Sequence, residues 1–507
     1  MAVDGPVDRV RGRLARASAQ VQRRRLGAPC LAPYANLYLG PQGEVRACCA
    51  NSFFLGNIRV QRLPEIWGGV QQLELRRRLK DGDFSLGCSY CEWERDQGIR
   101  MYARVYDTLK VRSASPSFPT RIEFALTNAC NLQCTMCNGE NSSAIRLHRE
   151  GRRPEPKAYG DEFFEDLAEF VPHLEGASFV GGEPFLGAEN FRAWDLFAEL
   201  NPHAEIGITT NGTQWGPRVE RVLDQLSPGI TVSIDGMTAE TFESIRVGAD
   251  FATVLENLDR FVAHGRRVGK RVNISHCLMP TNHHEFGALL RHAEERDVHV
   301  HVAVVTTPPE LALERRSAAE LELVLRSLED QADQVLPHLG DHNAGVLRAQ
   351  IERLRIARRD RDTAEPAPAI DADTIVGMPR RRDTPAGSPA PVDPTAGPEH
   401  GHLEVGPNDI VLDCSPALAD WLEVERAALI GVHLDHLDQA LRRRFGPLSE
   451  DRRRVEGDLV ERRLRAGDTD LQVVAAPVRD DAGWIRHVRV GVGPAPVAAG
   501  NLADPGR

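Results

Sequence analysis

Thr127-Asn-Ala-Cys130-Asn-Leu-Gln-Cys134-Thr-Met-Cys137-Asn-Gly139 sets three cysteines in the spacing C-x3-C-x2-C, directly after a strand-like run, Arg121-Ile-Glu-Phe-Ala-Leu126. Loops at the carboxyl ends of strands are where α/β folds place their chemistry. Three close thiolates in such a loop suit a soft metal, iron–sulfur above all. A zinc site with its fourth ligand elsewhere is the plain alternative. A cluster of four irons on three thiolates leaves one iron open, where a substrate or cofactor can bind.

Outward from this loop, residues 121–305 alternate strand and helix. Expected strands are Ile122–Leu126, Ala177–Val180, Glu205–Thr209, Ile230–Ile234, Val272–Leu278 and Val298–Val305. Expected helices lie around Ser142–Arg149, Glu162–Val171, Asn190–Leu200, Pro217–Leu226, Ala239–Ile245, Ala252–Ala263 and His283–Glu295. Six β-α units imply a parallel sheet with helices outside it, short of a closed eight-stranded barrel. The expected fold class is therefore α/β, with a partial (β/α)6 TIM-type barrel core over residues 115–310.

Upstream, residues 1–25 form either a short amphipathic helix or a polar, arginine-rich lead, and a disordered lead is the expectation. Asn36–Leu39 and Glu44–Cys49 read as short strands around Gly40-Pro-Gln-Gly43, and a helix is expected from Gln71 to Lys80. Two cysteines flanking a hairpin, Cys30 and Cys48, and the C-x2-C pair Cys88 and Cys91 can converge on one four-ligand site within a module at 26–110. Spacing alone does not separate zinc from iron–sulfur there.

The chain has 507 residues, 62 basic against 73 acidic, a net charge of −11 and 41% hydrophobic residues. That is about three domains at roughly 150 residues each. The balance argues against a nucleic-acid surface. No apolar stretch is long enough to span a membrane, and the arginine-rich start has no secretory core, so a cytoplasmic protein is expected. Eight of the ten cysteines lie between Cys30 and Cys137, clustering that points to metal or catalysis in a reducing compartment. Residues 311–362 show two helical stripes, Leu321, Val324, Leu325 and Leu328, then Leu347, Ile351 and Leu354. They are expected to cover the sheet or to dimerise. Eight prolines between 366 and 398 mark a linker at 363–399. A small α+β domain is expected at 400–495, with final strands Leu471–Pro477 and Ile485–Val492 joined by Asp480-Asp-Ala-Gly483. His433 and His436 read as solvated loop residues.

Further elements follow the core strands in order. Gly181-Gly-Glu-Pro184 follows the second, Thr209-Thr-Asn-Gly212 the third, Ser233-Ile-Asp-Gly236 the fourth, and Ile245-Arg-Val-Gly248 comes later, with Phe251 beyond it. Together with the cysteine loop these resemble the radical SAM enzymes. The resemblance implies a [4Fe–4S] cluster on Cys130, Cys134 and Cys137 that binds S-adenosylmethionine (SAM) and cleaves it reductively to a 5′-deoxyadenosyl radical. It implies SAM contacts from Met136, where relatives usually carry an aromatic residue, and from Gly181, Gly182, Glu183 and Pro184, with Glu183 beside the SAM amino group. Ser233 and Asp235 stand where relatives hold the SAM ribose and carboxylate. Asn211 is a weaker candidate, since T-N-G also makes a plain turn. Arg246 stands where an arginine pairs with the SAM carboxylate, a surface arginine being the alternative. Cys277 reads as core or as facing the barrel interior, and His276 and His301 carry no motif.

Residues 26–110, through Cys30-x12-Gly43-x4-Cys48, Leu55-Gly-Asn-Ile58, Leu63-Pro-Glu-Ile-Trp67 and Cys88-x2-Cys91, resemble a SPASM module in its shorter twitch form. That implies one auxiliary [4Fe–4S] cluster on Cys30, Cys48, Cys88 and Cys91, with Cys49 able to replace Cys48. Residues 400–495 resemble a PAS domain. The resemblances imply hydrogen abstraction from a peptide, or alternatively from a small metabolite or sugar; a PAS-linked iron–sulfur sensor is a third reading. A flavodoxin- or ferredoxin-type electron donor and a homodimer through the PAS-like domain are the expected partners.

Overall fold

The computed structural model describes residues 18–96, 105–111 and 113–363, and the strand residues 401–405, 411–414, 448–456, 459–466, 469–479 and 485–494. They belong to two compact units, taken separately below. Apart from Thr363, the expected linker at 363–399, with His433, His436 and the turn Asp480–Gly483, lies outside the described residues.

In the nine-stranded sheet the strands are β1 (Asn36–Leu39) and β2 (Glu44–Arg46), then a two-residue β3 (Gly56–Asn57), and β4 (Arg121–Phe124), β5 (Gly176–Phe179), β6 (Glu205–Thr210), β7 (Gly229–Ser233), β8 (Asn273–Cys277) and β9 (His299–Ala303). From β4 to β9 they pair in sequence order, all parallel. Right-handed crossovers without a reversal of strand order put every connecting helix on one face. That is the winding of an open barrel, unlike a doubly wound sheet. The helices are Asp161–Phe170, Ala188–Leu200, Pro217–Leu226, Ala239–Ile245 with Phe251–Val268, and Phe286–Glu295.

Side chains alternate across the strands accordingly. Ile206, Ile208, Ile230, Val232 and Ile274 are buried, whereas Gly207, Thr209, Thr231, Ser233, Asn273, Ser275 and Cys277 between them are half-buried. A parallel sheet covered on both faces would read as continuous hydrophobic runs. Here the second face is polar. The apolar face is densest where Phe124 stacks on Phe179 at 4.7 Å, with Trp194 and Phe197 against them from the helix Ala188–Leu200. Each such ring pair adds about 0.5–1.5 kcal/mol beyond burial.

The cysteine-rich module does not form a layer of its own. β1 lies parallel to β4, Asn36 opposite Arg121 and Leu39 opposite Phe124, and β2 adds antiparallel to β1. The hairpin therefore extends the core sheet past its first strand. The segment 18–26, expected as the end of a disordered lead, is helical. Ala19 and Leu26 bury against Leu31, Tyr34, Tyr106 and Val111, and the Gln22 side chain bonds the backbone at Leu109 and Val111. The anchors lie almost ninety residues away, which no local pattern shows. Arg62 and the Leu63 amide both donate to the buried Asp166 carboxylate, fixing the helix Leu63–Trp67 to Asp161–Phe170.

At the other margin the expected helical extension forms as Ala318–Val335 and Asp341–Thr363, the first started by a capping box between Ser317 and Glu320. It closes the sheet by side chains. Asn343 accepts from the Val300 amide at 3.0 Å and donates to the Val298 carbonyl at 3.1 Å, while the His342 ring lies 3.1 Å from the Val300 carbonyl. These side chains stand in for a neighbouring strand along β9.

The second unit carries β10 (Gly401–Val405), β11 (Val411–Cys414), β12 (Leu448–Glu456), β13 (Leu459–Ala466), β14 (Thr469–Arg479) and β15 (Ile485–Pro494) in one antiparallel sheet ordered β11-β10-β15-β14-β13-β12. The two final strands form as expected and extend further. β12 and β13 were hidden by their charge: Arg452-Arg-Arg454 and Glu461-Arg-Arg463 break the apolar alternation that marks a strand.

Asn343→Ala strips the Val300 amide and the Val298 carbonyl of their partner. A loss of about 2–3 kcal/mol is expected, read as a lower urea midpoint by circular dichroism. Leu323→Ala, at a side chain 66% exposed, stays within about 0.5 kcal/mol of wild type in the same titration.

Candidate functional site

The cysteine loop leaves β4 at its carboxyl end and is held from both sides. The Ser143 amide donates to the Asn128 carbonyl at 2.7 Å, the Cys130 amide to the Ser143 hydroxyl at 3.0 Å, and the Ser142 hydroxyl to the Leu132 carbonyl at 2.6 Å. Opposite, the amides of Gln133 and Thr135 donate to the carbonyls of Val247 and Ile245. The expected helix 142–149 ends in a π-helical turn, Ile145–Arg149, from which Arg149 reaches the carbonyls of Cys134 and Cys137.

The G-G-E-P stretch locks against this loop. Gly181 and Gly182 have φ of +76° and +52°, and a Cβ on Gly182 would stand 2.5 Å from the Ala129 carbonyl oxygen. Only glycine meets both demands. The Glu183 amide bonds that same oxygen at 2.7 Å, and Pro184 opens a short buried turn. The Glu183 side chain is fully buried. Its oxygens accept from the Thr210 hydroxyl at 2.8 Å and from the amides of Asn211 at 2.6 Å and Phe185 at 3.1 Å. Burial lifts its pKa to about 7 against those bonds. Through the bonds from Thr210 and Asn211, Glu183, expected beside a ligand's amino group, also braces the loops after β5 and β6. Asn211 is more than a turn residue: its amide group donates to Asn131 at 3.0 Å and lies 3.9 Å from the Cys130 sulfur.

Asp235 and Arg246, expected to hold different parts of one ligand, pair with each other at 2.7 Å, Asp235 wholly buried and Arg246 8% exposed. Arg246 is therefore not a surface arginine. Its second guanidinium nitrogen lies 3.9 Å from the Cys134 sulfur, and Asp235 also accepts from the Cys277 amide at 2.6 Å. Ser233 is half-buried on the polar face of β7, and Met136 is half-buried between the second and third cysteines.

Burial pushes up all three loop thiols, Cys137 to about 11, where Cys134 and Cys130 push the same way. Arg246 and Arg149 pull against the rise at Cys134. Buried thiols that mutually resist ionisation are poor anions and ready metal ligands, giving up protons as the metal binds. This donor set fits an iron–sulfur cluster. Cys277, left between core and interior by its sequence, shares the polar face of β8 and feels Cys134 and Cys137; its thiol is raised by burial first and Asp235 next. His276 points away from that face, buried, with a ring nitrogen 2.8 Å from the Ile234 carbonyl. Burial lowers His301 to about 4, keeping it neutral beside His342.

Four module cysteines share a second neighbourhood. Burial raises the Cys48 thiol, and Cys30, Cys49 and Cys88 add to the rise. Burial raises Cys88 to about 12, with Cys30 and Cys91 pushing the same way, while the Asn51 amide donates to its sulfur at 3.3 Å. Cys49 turns elsewhere: its sulfur lies 3.7 Å from the Tyr106 hydroxyl, which donates to Glu123 at 2.8 Å. Among the described residues no group of three or more His, Cys, Asp or Glu side chains is arranged to hold a single metal ion. No described helix is long and apolar enough to cross a membrane.

Comparison with known proteins bears on both neighbourhoods. Residues 124–293 match the family model of the radical SAM superfamily, and residues 30–92 that of the iron–sulfur cluster-binding SPASM domain. The GTP 3′,8-cyclase of Pseudomonas fluorescens is 25% identical over 182 residues, 35% of this chain and 52% of that protein. The probable GTP 3′,8-cyclase of Methanocella arvoryzae is 28% identical over 148 residues, 28% of this chain and 44% of that protein. The chain thus spans about half the length of the curated relatives it matches. Among solved structures, anSMEcpe with bound AdoMet aligns with a TM-score of 0.31 at 18% identity, over 42% of this chain and 58% of that one. The chain carries the radical SAM domain of an enzyme, with a [4Fe–4S] cluster and SAM as its cofactors, and beside it an iron–sulfur cluster-binding domain.

Proposed function

We propose that this protein is a radical SAM enzyme with one auxiliary cluster, and that it abstracts a hydrogen atom from a peptide substrate. The observation that carries the reading is the close set of Cys130, Cys134 and Cys137 in a loop at the margin of a polar sheet face. A [4Fe–4S] cluster and SAM bound there supply the 5′-deoxyadenosyl radical. The chain's own residues do the rest. Asn131, Asn211 and the Gly181-Gly182 turn fix the loop that carries the first cysteine. The Asp235–Arg246 pair is close to charge-neutral beside Cys134, so a bound carboxylate would compete with Asp235 for the guanidinium. Thr209, Thr231, Ser233 and Ser275 offer hydroxyls along the polar face for orienting a substrate.

The auxiliary cluster would lie on Cys30, Cys48, Cys88 and Cys91, with Cys49 outside the set. Because β1 extends the core sheet, that site borders the polar face and can take an electron from a product radical or orient the substrate. A peptide is favoured by the auxiliary domain. A small polar metabolite is the second reading, favoured by the low-identity match to GTP 3′,8-cyclases, proteins about twice the length of the matched region. A flavodoxin- or ferredoxin-type donor in a reducing cytoplasm would supply the electron. Residues 400–495 are read as a PAS-like sensory or dimerising domain, supported by a sheet whose first strand, β10, pairs with its last, β15.

Anaerobically reconstituted protein should hold about eight irons per chain and release 5′-deoxyadenosine from SAM under dithionite. Cys134→Ala should abolish 5′-deoxyadenosine and leave about four irons; equal product in this variant overturns the reading. Cys48→Ala should lose the auxiliary iron and Cys49→Ala keep it, counted by colorimetric iron assay. The opposite ranking would move the ligand to Cys49. Zinc in place of four irons would make the module a zinc knot. Incubation with a short peptide from a neighbouring reading frame, followed by mass spectrometry, separates peptide from metabolite.

A further inference from the structure

Two arginines flank Cys134, and their charges are not equivalent. Arg246 is cancelled by Asp235 at 2.7 Å in a buried pair. Arg149 pairs with no carboxylate among the described residues, although its neighbours do: Arg146 with Glu155 at 2.6 Å and Arg152 with Glu150 at 3.2 Å. Its guanidinium is spent on two backbone carbonyls of the cysteine loop, those of Cys134, at 3.3 Å, and Cys137. A fork bridging two acceptors has a defined orientation, unlike a waving surface side chain.

The backbone is shaped for this contact. Residues Ile145–Arg149 form a π-turn, closed by the Glu150 amide on the Ile145 carbonyl at 3.0 Å. Single π-turns are uncommon and concentrate at functional sites. Arg146 and Ile145 are buried beneath it, and the Arg152 amide bonds the Arg146 carbonyl at 2.7 Å, so the turn is anchored where Arg149 leaves it. Glu150 in turn accepts from the Gly139 amide at 2.7 Å, closing the far end of the cysteine loop.

We propose that Arg149 is a positioning residue that raises the reduction potential of the iron–sulfur cluster held by Cys130, Cys134 and Cys137. The inference rests on the reading of those cysteines as cluster ligands. Reduction adds one negative charge to the cluster, and an uncompensated cation beside two of its three ligands favours the reduced form. Net charge and hydrogen bonding around the ligands are the protein's levers on such potentials. Because Arg149 is exposed, salt screens its effect.

The test is an EPR-monitored redox titration of the reconstituted holoprotein, in which the SAM-binding cluster is identified by the change of its signal when SAM is added. Arg149→Gln should shift the midpoint of that cluster to a more negative value, with the auxiliary midpoint unmoved. Arg149→Lys, which keeps the charge, should stay near wild type. The wild-type midpoint should fall toward that of Arg149→Gln as ionic strength rises. An unmoved midpoint in Arg149→Gln, or an equal shift in Arg149→Lys, overturns the proposal. If Arg149→Gln loses cluster iron, the wild-type salt series decides: a midpoint indifferent to salt overturns the proposal as well. A wild-type signal that ignores SAM overturns the cluster assignment itself, which is a separate outcome.

Discussion

The parallel pairing of β1 with β4 is the contact on which both cysteine neighbourhoods depend. Strand β4 delivers the loop of Cys130, Cys134 and Cys137, and β1, between Cys30 and Cys48, joins its open side in register. Without that ladder β4 would present an unpaired edge, and the hairpin would have too few strands to persist alone. With it, Asn36 and Tyr106 both donate to Glu123 at 2.8 Å, so the polar face runs on from the core into the module. Both cysteine neighbourhoods are thereby built on one sheet.

The opposite margin is managed by different means. There the chain lays down a helix, whose His342 and Asn343 satisfy the outward groups of β9 with side-chain atoms. An open barrel that stops at six strands leaves two edges. One edge is covered by a strand from upstream and the other by side chains from downstream. Between those margins runs the half-buried polar face of Thr209, Thr231, Ser233 and Ser275.

Two of the arginines around the cysteine loop are held in compensating pairs, and a third is not. Asp235 neutralises Arg246, Glu155 neutralises Arg146, and the buried Glu183 has backbone and hydroxyl donors at both oxygens. Arg149 alone among these arginines meets only carbonyl oxygens.

The sequence by itself determined the six parallel strands to within a few residues, the helix between each pair, the ligand spacing in the loop, and the glycines of Gly181-Gly182. Each of these is carried by neighbours in the chain: the period of apolar residues, the step between cysteines, the need for positive φ beside a carbonyl. Only the tertiary structure decided that β1 joins β4, that residues 18–26 fold onto Leu109 and Val111, that Arg246 is paired with Asp235, and that the Glu183 carboxylate accepts from Thr210 and Asn211. It alone brought Arg149 and Cys277 to the loop. Those outcomes depend on contacts between segments tens of residues apart, and their partners are chosen by which surfaces meet when the sheet curls, a choice that no local pattern of residues records.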